Sequence, residues 1–421
     1  MNNAGTQAED AVQLFAERSF FSDFVFRRPH FLKRGILKEA ADVLVWMDDT
    51  LIITHSKARS RDPESLVLPF SERERSWATK NIEAALRQCR GARRALLNGR
   101  VTDLENTRRG RVPFTPSEIR RIYGVIVVDQ LIAPYDPLRS VPGLRGPGFP
   151  VHVFALSDWP LLCAELSTTP DFISYLDFRS ANLGVQPFLF GRESDLLAAF
   201  IINERNPETK LENLPEIDGL GPLFGENLKV ELSRRDHDDR PSKLIDDIID
   251  PLHDIDDSFL PDSGPVIETV GKANREDYVF AAIALSKMMR TERRIAGRWL
   301  FEKIEAAATE GRDRYFCIAG RGSSGFCFLA SHLGRTERVK YLAGLAALAK
   351  HSLKVQTLVG VATDASIGLG RSYDSIFLQY PWKPDAEADR LESQMFSSPV
   401  VLSETEFVAT DDSATPLVTP V

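Results

Sequence analysis

Little in this chain is specialised by composition. Only four cysteines occur in 421 residues, at Cys89, Cys163, Cys317 and Cys327. Their scatter excludes a zinc-knuckle spacing and a dense disulfide framework, and a reducing, cytoplasmic setting is expected. No apolar run approaches the ~18 residues of a membrane span, so no membrane association is expected. Residues 1–17 lack the basic and apolar regions of a signal peptide. There is no Gly-x-Ser-x-Gly elbow, no His-Glu-x-x-His helix and no repeat of fixed period. Disorder throughout is excluded as well, because 43% of residues are hydrophobic and 27% charged.

The charge is unevenly placed. Residues 1–125 carry 22 Lys+Arg against 16 Asp+Glu, and the remaining 296 residues carry 30 against 44. Such asymmetry marks either a nucleic-acid-facing part joined to an acidic one or ordinary surface variation. The length fits two or three domains. We divide the chain into 1–185, an acidic insertion or linker over 186–270, a second domain over 271–405 and a tail over 406–421.

In the first part, apolar spacing predicts a helix over 6–18, strands at 23–27, 41–47 and 51–57, a helix over 72–97 and strands at 122–129 and 151–156. Whether 205–265 is ordered stays open. A helical block over 275–309 then leads into a β-β-α-β-β pattern over 315–380. The fold class is therefore α/β for the first part, a mixed sheet flanked by helices, followed by a second α+β domain.

The chemistry concentrates around the second and third strands. Asp42 opens one apolar strand, and Lys57 ends the next, 15 positions later. Alternation places His55 and Lys57 on one face with Leu51 and Ile53. A carboxylate and an ammonium brought together across paired strands suit metal-assisted hydrolysis. The carboxylate holds a hard cation, and the lysine steadies developing negative charge. Each residue also has a plainer explanation: Asp42 as a strand-start cap, Lys57 as a solvated strand end, His55 as a satisfied strand histidine. On the long helix, Lys80, Arg87, Arg90 and Arg94 form a basic stripe, either a solvated face or a set of phosphate contacts.

In this order and spacing the chain resembles the PD-(D/E)xK nuclease superfamily, near its Mrr-like and NERD branch, over about residues 5–180. The resemblance rests on a leading helix with Glu9, the Glu39-x-x-Asp42 strand start, the strand ending in Lys57, and Gln88 within LRQCRGA on the following helix. It implies a restriction-endonuclease-like fold and a nuclease, most simply a DNA endonuclease of a bacterial anti-phage system. Mg2+ or Mn2+ would sit on Asp42, Glu39 and Glu9. Lys57, His55 and Gln88 would complete the catalytic group. RNA as substrate, self-association and a regulatory protein partner stay open.

One position departs from that pattern. His55 stands where the family has an acid or glutamine, and neutral imidazole is a poor magnesium ligand. Either Glu39 or Glu9 then supplies the second carboxylate, or the domain binds without cutting. A third reading puts a small-ligand site in the second domain, near Asp364 or the Gly320–Gly325 turn. That turn lacks the Lys-Ser/Thr ending of a phosphate loop and reads as a tight hairpin. Gly368 and Gly370 read as another turn, and Cys317 and Cys327 as core thiols on neighbouring strands.

Overall fold

The computed structural model describes residues 4–33, 35–58, 72–129, 136–145, 148–182, 193–203, 205–211, 240–253, 275–320, 322–365 and 372–395. The chain forms two compact units, 1–232 and 233–421. Both are mixed α/β, and each carries its own sheet. Among the described residues no helix is long and apolar enough to cross a membrane.

Unit 1 opens with α1 (Ala4–Phe20), β1 (Val25–Arg27), β2 (His30–Lys33), β3 (Ile36–Glu39), β4 (Val43–Met47) and β5 (Thr50–Lys57). Then come α2 (Glu72–Leu97), β6 (Asp103–Asn106), β7 (Gly110–Pro113), β8 (Arg121–Val128) and β9 (Val151–Ala155). The main sheet has the order β1-β4-β5-β8-β9, with β1, β4 and β5 antiparallel and β5, β8 and β9 parallel. A parallel β5–β8 pair needs a crossover, and α2 supplies most of it. Two hairpins, β2–β3 and β6–β7, stand outside that sheet and were not anticipated from sequence.

The buried side of α2 is built from small and branched residues, including Ala78, Ile82, Ala85, Cys89, Ala92 and Leu96. Ala92 and Leu96 pack with Leu44, Leu51 and Ile53 in one core cluster. Small side chains let the helix lie close to the sheet. Gly99, in the left-handed region at φ 65°, lets the chain turn away after the helix.

Beyond β9 the chain continues through helices at Thr169–Ala181 and Glu193–Ile202. A buried polar group ties them to β9. Arg179 bonds Glu193 at 2.8 Å, meets His152 Nδ1 at 3.3 Å and lies 4.3 Å from the centre of the Phe154 ring. Tyr175 donates to the same glutamate. Burial, with the Arg179 charge added, keeps His152 neutral.

Unit 2 contains helices at Arg240–Ile249, Arg275–Ser286 and Arg290–Glu310, then β10 (Arg314–Ala319) and β11 (Ser324–Ser331). A helix over Arg335–Ser352, β12 (Thr357–Asp364), β13 (Tyr373–Gln379) and a helix over Ala386–Met395 follow. The sheet order is β10-β11-β12-β13, and only β11–β12 is parallel. The expected β-β-α-β-β pattern is therefore present. Leu342, Leu345, Ala346 and Ala349 pack on Cys327, Leu358 and Ala362 from one side. On the other side Trp299 meets Phe316 edge-on, and Phe316 stacks on Phe328.

Part of the acidic stretch belongs to this unit. The 240–249 helix buries Ile245, Ile248 and Ile249, and its Asp246 bonds Arg290 and, at 2.7 Å, the fully buried Arg293. Where this helix crosses the 290–310 helix, Gly297 lies against Pro241, so that a Cβ would overlap the Pro241 carbonyl. Alanine normally gains ~0.5–1 kcal/mol over glycine inside a helix. At this crossing overpacking reverses that sign. Gly297→Ala is expected to lower stability by roughly 1–3 kcal/mol, which urea unfolding with fixed m-value would show as a lower midpoint.

Candidate active site

The candidate site forms where β4 begins and β5 ends, and three backbone constraints assemble it. Alternation along β5 is the first. Leu51 and Ile53 point toward α2, so His55 and Lys57 do too. The second is the β4–β5 register, in which Val43 pairs with Thr54. Asp42, one residue earlier, also donates its amide to the Thr54 carbonyl, at 3.1 Å. Two residues facing one is a bulge, and it leaves the Asp42 side chain beside the end of β5.

The third constraint is an extra residue on the outgoing strand. Arg28 donates to the Asp42 carbonyl at 3.0 Å, Ala40 donates to the Pro29 carbonyl at 2.7 Å, and His30 pairs with Glu39. Ala41 therefore has no opposite number. In an unbroken strand, residues three apart project to opposite faces. The extra residue removes that constraint, and the Glu39 and Asp42 carboxyls come close enough for Asp42 to raise the Glu39 pKa. Arg28, at φ 46°, takes up the distortion on the opposing strand.

Asp42 is buried, and both of its oxygens are engaged. Oδ1 lies 3.2 Å from His55 Nδ1; Oδ2 accepts from the Ser56 amide at 2.6 Å and the Ser56 hydroxyl at 3.2 Å. Burial alone would raise its pKa. The His55 hydrogen bond and charge, the Ser56 amide and the Lys57 ammonium outweigh that and hold it at about 2. Glu39 moves the other way, to about 7, through partial burial together with a hydrogen bond and repulsion from Asp42; Arg28 opposes the rise. Glu39 lies on an exposed strand, so solvent screens part of this effect. The wall on the α2 side is Cys89. Burial first, then the Asp42 charge, push its thiol up to about 12, while Lys57 draws it down.

The other expected site residues are placed as follows. Glu9 accepts from Arg28, with the Nε contact at 3.0 Å, and its charge adds to the repulsion felt by Glu39, so it stands at the edge of the same acidic group. His55 is buried, with Nδ1 committed to Asp42 and Nε2 lacking a hydrogen-bond partner among the described residues. Gln88 is exposed on α2, although its neighbour Cys89 faces the site. Lys80, Arg87, Arg90 and Arg94 are all exposed. At ~100° per residue, Arg87 lies roughly 200° around the helix from Cys89. The basic stripe therefore points away from the carboxylates, and Arg90 donates instead to the Gly143 carbonyl at 2.8 Å.

Features that drew attention in unit 2 have structural partners. Asp374 accepts from Arg335 and from the buried Arg338, both at 2.7 Å, and Asp364 accepts from Ser372. Gly320 accepts the hairpin closure by donating to the Ser324 carbonyl at 2.8 Å, while Arg321, Gly368 and Gly370 lie outside the described residues. Cys317 and Cys327 face one another across β10 and β11 and are buried thiols. The tail beyond 395 and most of 205–265, namely 212–239 and 254–265, also lie outside the described residues.

Comparison of the chain with protein-family models, curated proteins and solved structures returned no match.

Two titrations test the geometry. The Asp42 pKa is depressed on folding from its ordinary 3.8, so its stabilisation is present above that value and is lost as pH falls toward about 2. Relative to Asp42→Asn, the native protein is expected to lose on the order of 2 kcal/mol between pH 4 and pH 2, as read by urea unfolding. For Glu39 the pKa is raised on folding, so its contribution is full below 4.5 and is lost as pH rises through about 7. Carboxyl-carbon NMR is expected to show Glu39 titrating near neutrality, and the midpoint to fall in Asp42→Asn.

Proposed function

We propose that unit 1 is a divalent-metal-dependent nuclease of the restriction-endonuclease-like fold, hydrolysing phosphodiester bonds in DNA. The observation that carries this reading is the convergence of Glu39, Asp42 and Lys57 at one strand end, from three stretches with separate backbone causes. Two carboxyls close enough to shift one another's ionisation suit a cation better than they suit one another. Among the described residues there is no group of three or more His, Cys, Asp or Glu that could cage an ion. A pair of carboxylates, with water and phosphate oxygens completing the shell, is the kind of donor set Mg2+ or Mn2+ takes in phosphoryl chemistry.

Asp42 and Glu39 would hold that ion. When bound, it would polarise the phosphoryl group and lower the pKa of a water molecule. Asp42 is already ionised at any pH above about 2, so no proton has to leave it. His55 and Ser56 fix both Asp42 oxygens and so act as positioning residues. Lys57, half-buried at the strand end, supplies positive charge where negative charge develops on the phosphoryl oxygens. The α2 stripe faces the wrong way to hold the scissile phosphate. Any role it has is with more distant phosphates, where salt screens it strongly.

Incubation of plasmid and linear DNA with Mg2+ or Mn2+ tests the reading. Cleavage is expected, with Asp42→Ala at background, Lys57→Ala down by about 10²–10³-fold, and Glu9→Gln close to the native rate. Cleavage that Asp42→Ala retains would overturn the assignment.

A specific observation also favours a second reading, a nuclease fold that binds DNA without cutting. Both Asp42 oxygens already have partners within the protein, so an ion must compete with His55 and Ser56. Duplex binding with no cleavage under any divalent metal, unchanged in Lys57→Ala, would establish it.

A further inference from the structure

The β2–β3 hairpin has features that the core of unit 1 does not explain. It leaves the main sheet at the Ala41 irregularity and forms its own two-stranded ribbon. Phe31 packs against the core and anchors it. Beyond that anchor the ribbon exposes its apolar residues: Leu32 is 65%, Ile36 59% and Leu37 63% exposed. Three such side chains in ten residues are a costly surface for a soluble domain, and contiguous exposed apolar groups mark interaction sites.

The register says where that surface points. His30 pairs with Glu39, and Leu32 pairs with Leu37 two steps further out. Alternation puts both pairs on one face. The Leu32–Leu37 pair therefore follows directly outward from the carboxyl that would hold the metal. The separation is about 7 Å along the ribbon, comparable to about two base-pair rises.

Charge decides the partner. The ribbon, residues 30–39, includes Lys33, Arg34 and Lys38 against one acid, Glu39, and so carries a net positive charge. The basic residues at the root, Arg27 and Arg28, are taken by Asp10 and Glu9, but Lys38 is exposed on the ribbon itself. A second copy of the same ribbon would bring like charges together. A polyanion would not, and a two-stranded ribbon fits the major groove of a DNA duplex. Apolar side chains in that groove contact the thymine methyl groups.

We propose that the β2–β3 ribbon is a DNA-engaging arm: the Leu32–Leu37 face presses into the groove, Lys38 on the opposite face reaches a flanking phosphate, and the arm sets the position of the duplex relative to Glu39 and Asp42. The proposal deepens the nuclease reading and rests on it for the role of those carboxyls, but its binding step is independent of cleavage.

The experiment separates the two. Affinity for a short fluorescein-labelled duplex is measured by anisotropy in EDTA, across a salt series, for the full chain and for Leu32→Ser/Leu37→Ser, Lys38→Ala and Asp42→Ala. The same proteins are assayed for cleavage in Mg2+ and for mass by light scattering. All substituted ribbon positions are exposed, and circular dichroism checks the fold. The double serine variant is expected to bind at least ~10-fold more weakly. Lys38→Ala should lower the slope of log K against log salt by about 0.9. Asp42→Ala is expected not to cut and to keep at least the native affinity. Ribbon variants that bind like the native chain would overturn the arm, as would a native chain that binds no duplex. Loss of a dimer with unchanged DNA affinity would overturn it in favour of self-association. Weakened binding in a protein that never cuts would keep the arm and remove the nuclease reading.

Discussion

A carboxylate kept ionised with little water around it is the constraint on which the candidate site depends. Burial of Asp42 disfavours its charge, and the protein answers with a ring nitrogen, a backbone amide, a hydroxyl and a nearby ammonium. Each donor is fixed by something larger. His55 and Ser56 sit where the β4–β5 register puts them, and Lys57 lies where β5 ends against β8, paired with Val128. The apolar cluster under α2 holds that register, because a slip of one residue would turn Leu51 and Ile53 out of the core. The polar site is thus held in place by hydrophobic packing a few residues away.

The two carboxyls differ in state although they are neighbours. Asp42 has lost its proton and is locked; Glu39 sits on an exposed strand and keeps its proton to near neutrality. Environments that push paired acids apart in this way are a common property of catalytic sites. The same arrangement leaves His55 with a supporting role. Its Nδ1 serves Asp42, and it offers no carboxylate of its own beside Glu39.

Much of this was legible in the residues. Alternating apolar positions from Leu51 onward put His55 and Lys57 on one face, and α2 runs over the stretch its periodicity indicates. The basic stripe was also visible, but not its direction, because periodicity finds the buried face of a helix without saying which end of the sheet it covers. The β2–β3 ribbon escaped notice for a physical reason. Leu32 and Leu37 are exposed, so the pattern contains no half-buried alternation. The irregularity at Ala40-Ala41 carries no turn residue to announce it. The Arg179–Glu193–His152 group escaped because its members come from three elements far apart in sequence. Arg28 could not be placed from sequence either: it bonds Glu9, and its charge is felt by Glu39 as well.

The unpaired residue at Ala41 has a consequence for how this chain can change length. Along the ribbon, adding or removing a residue on each strand together would preserve pairing and only alter reach. At the junction, removal of Ala41 alone would leave the two acids two residues apart in a regular strand, still on one face. Drawing Ala41 into the ladder without removing it would instead set them three apart and turn the glutamate to the other side of the ribbon from the aspartate. Among distant relatives, the number of residues between these two acids therefore has to match the presence or absence of the extra residue, whatever the identity of the residues between them.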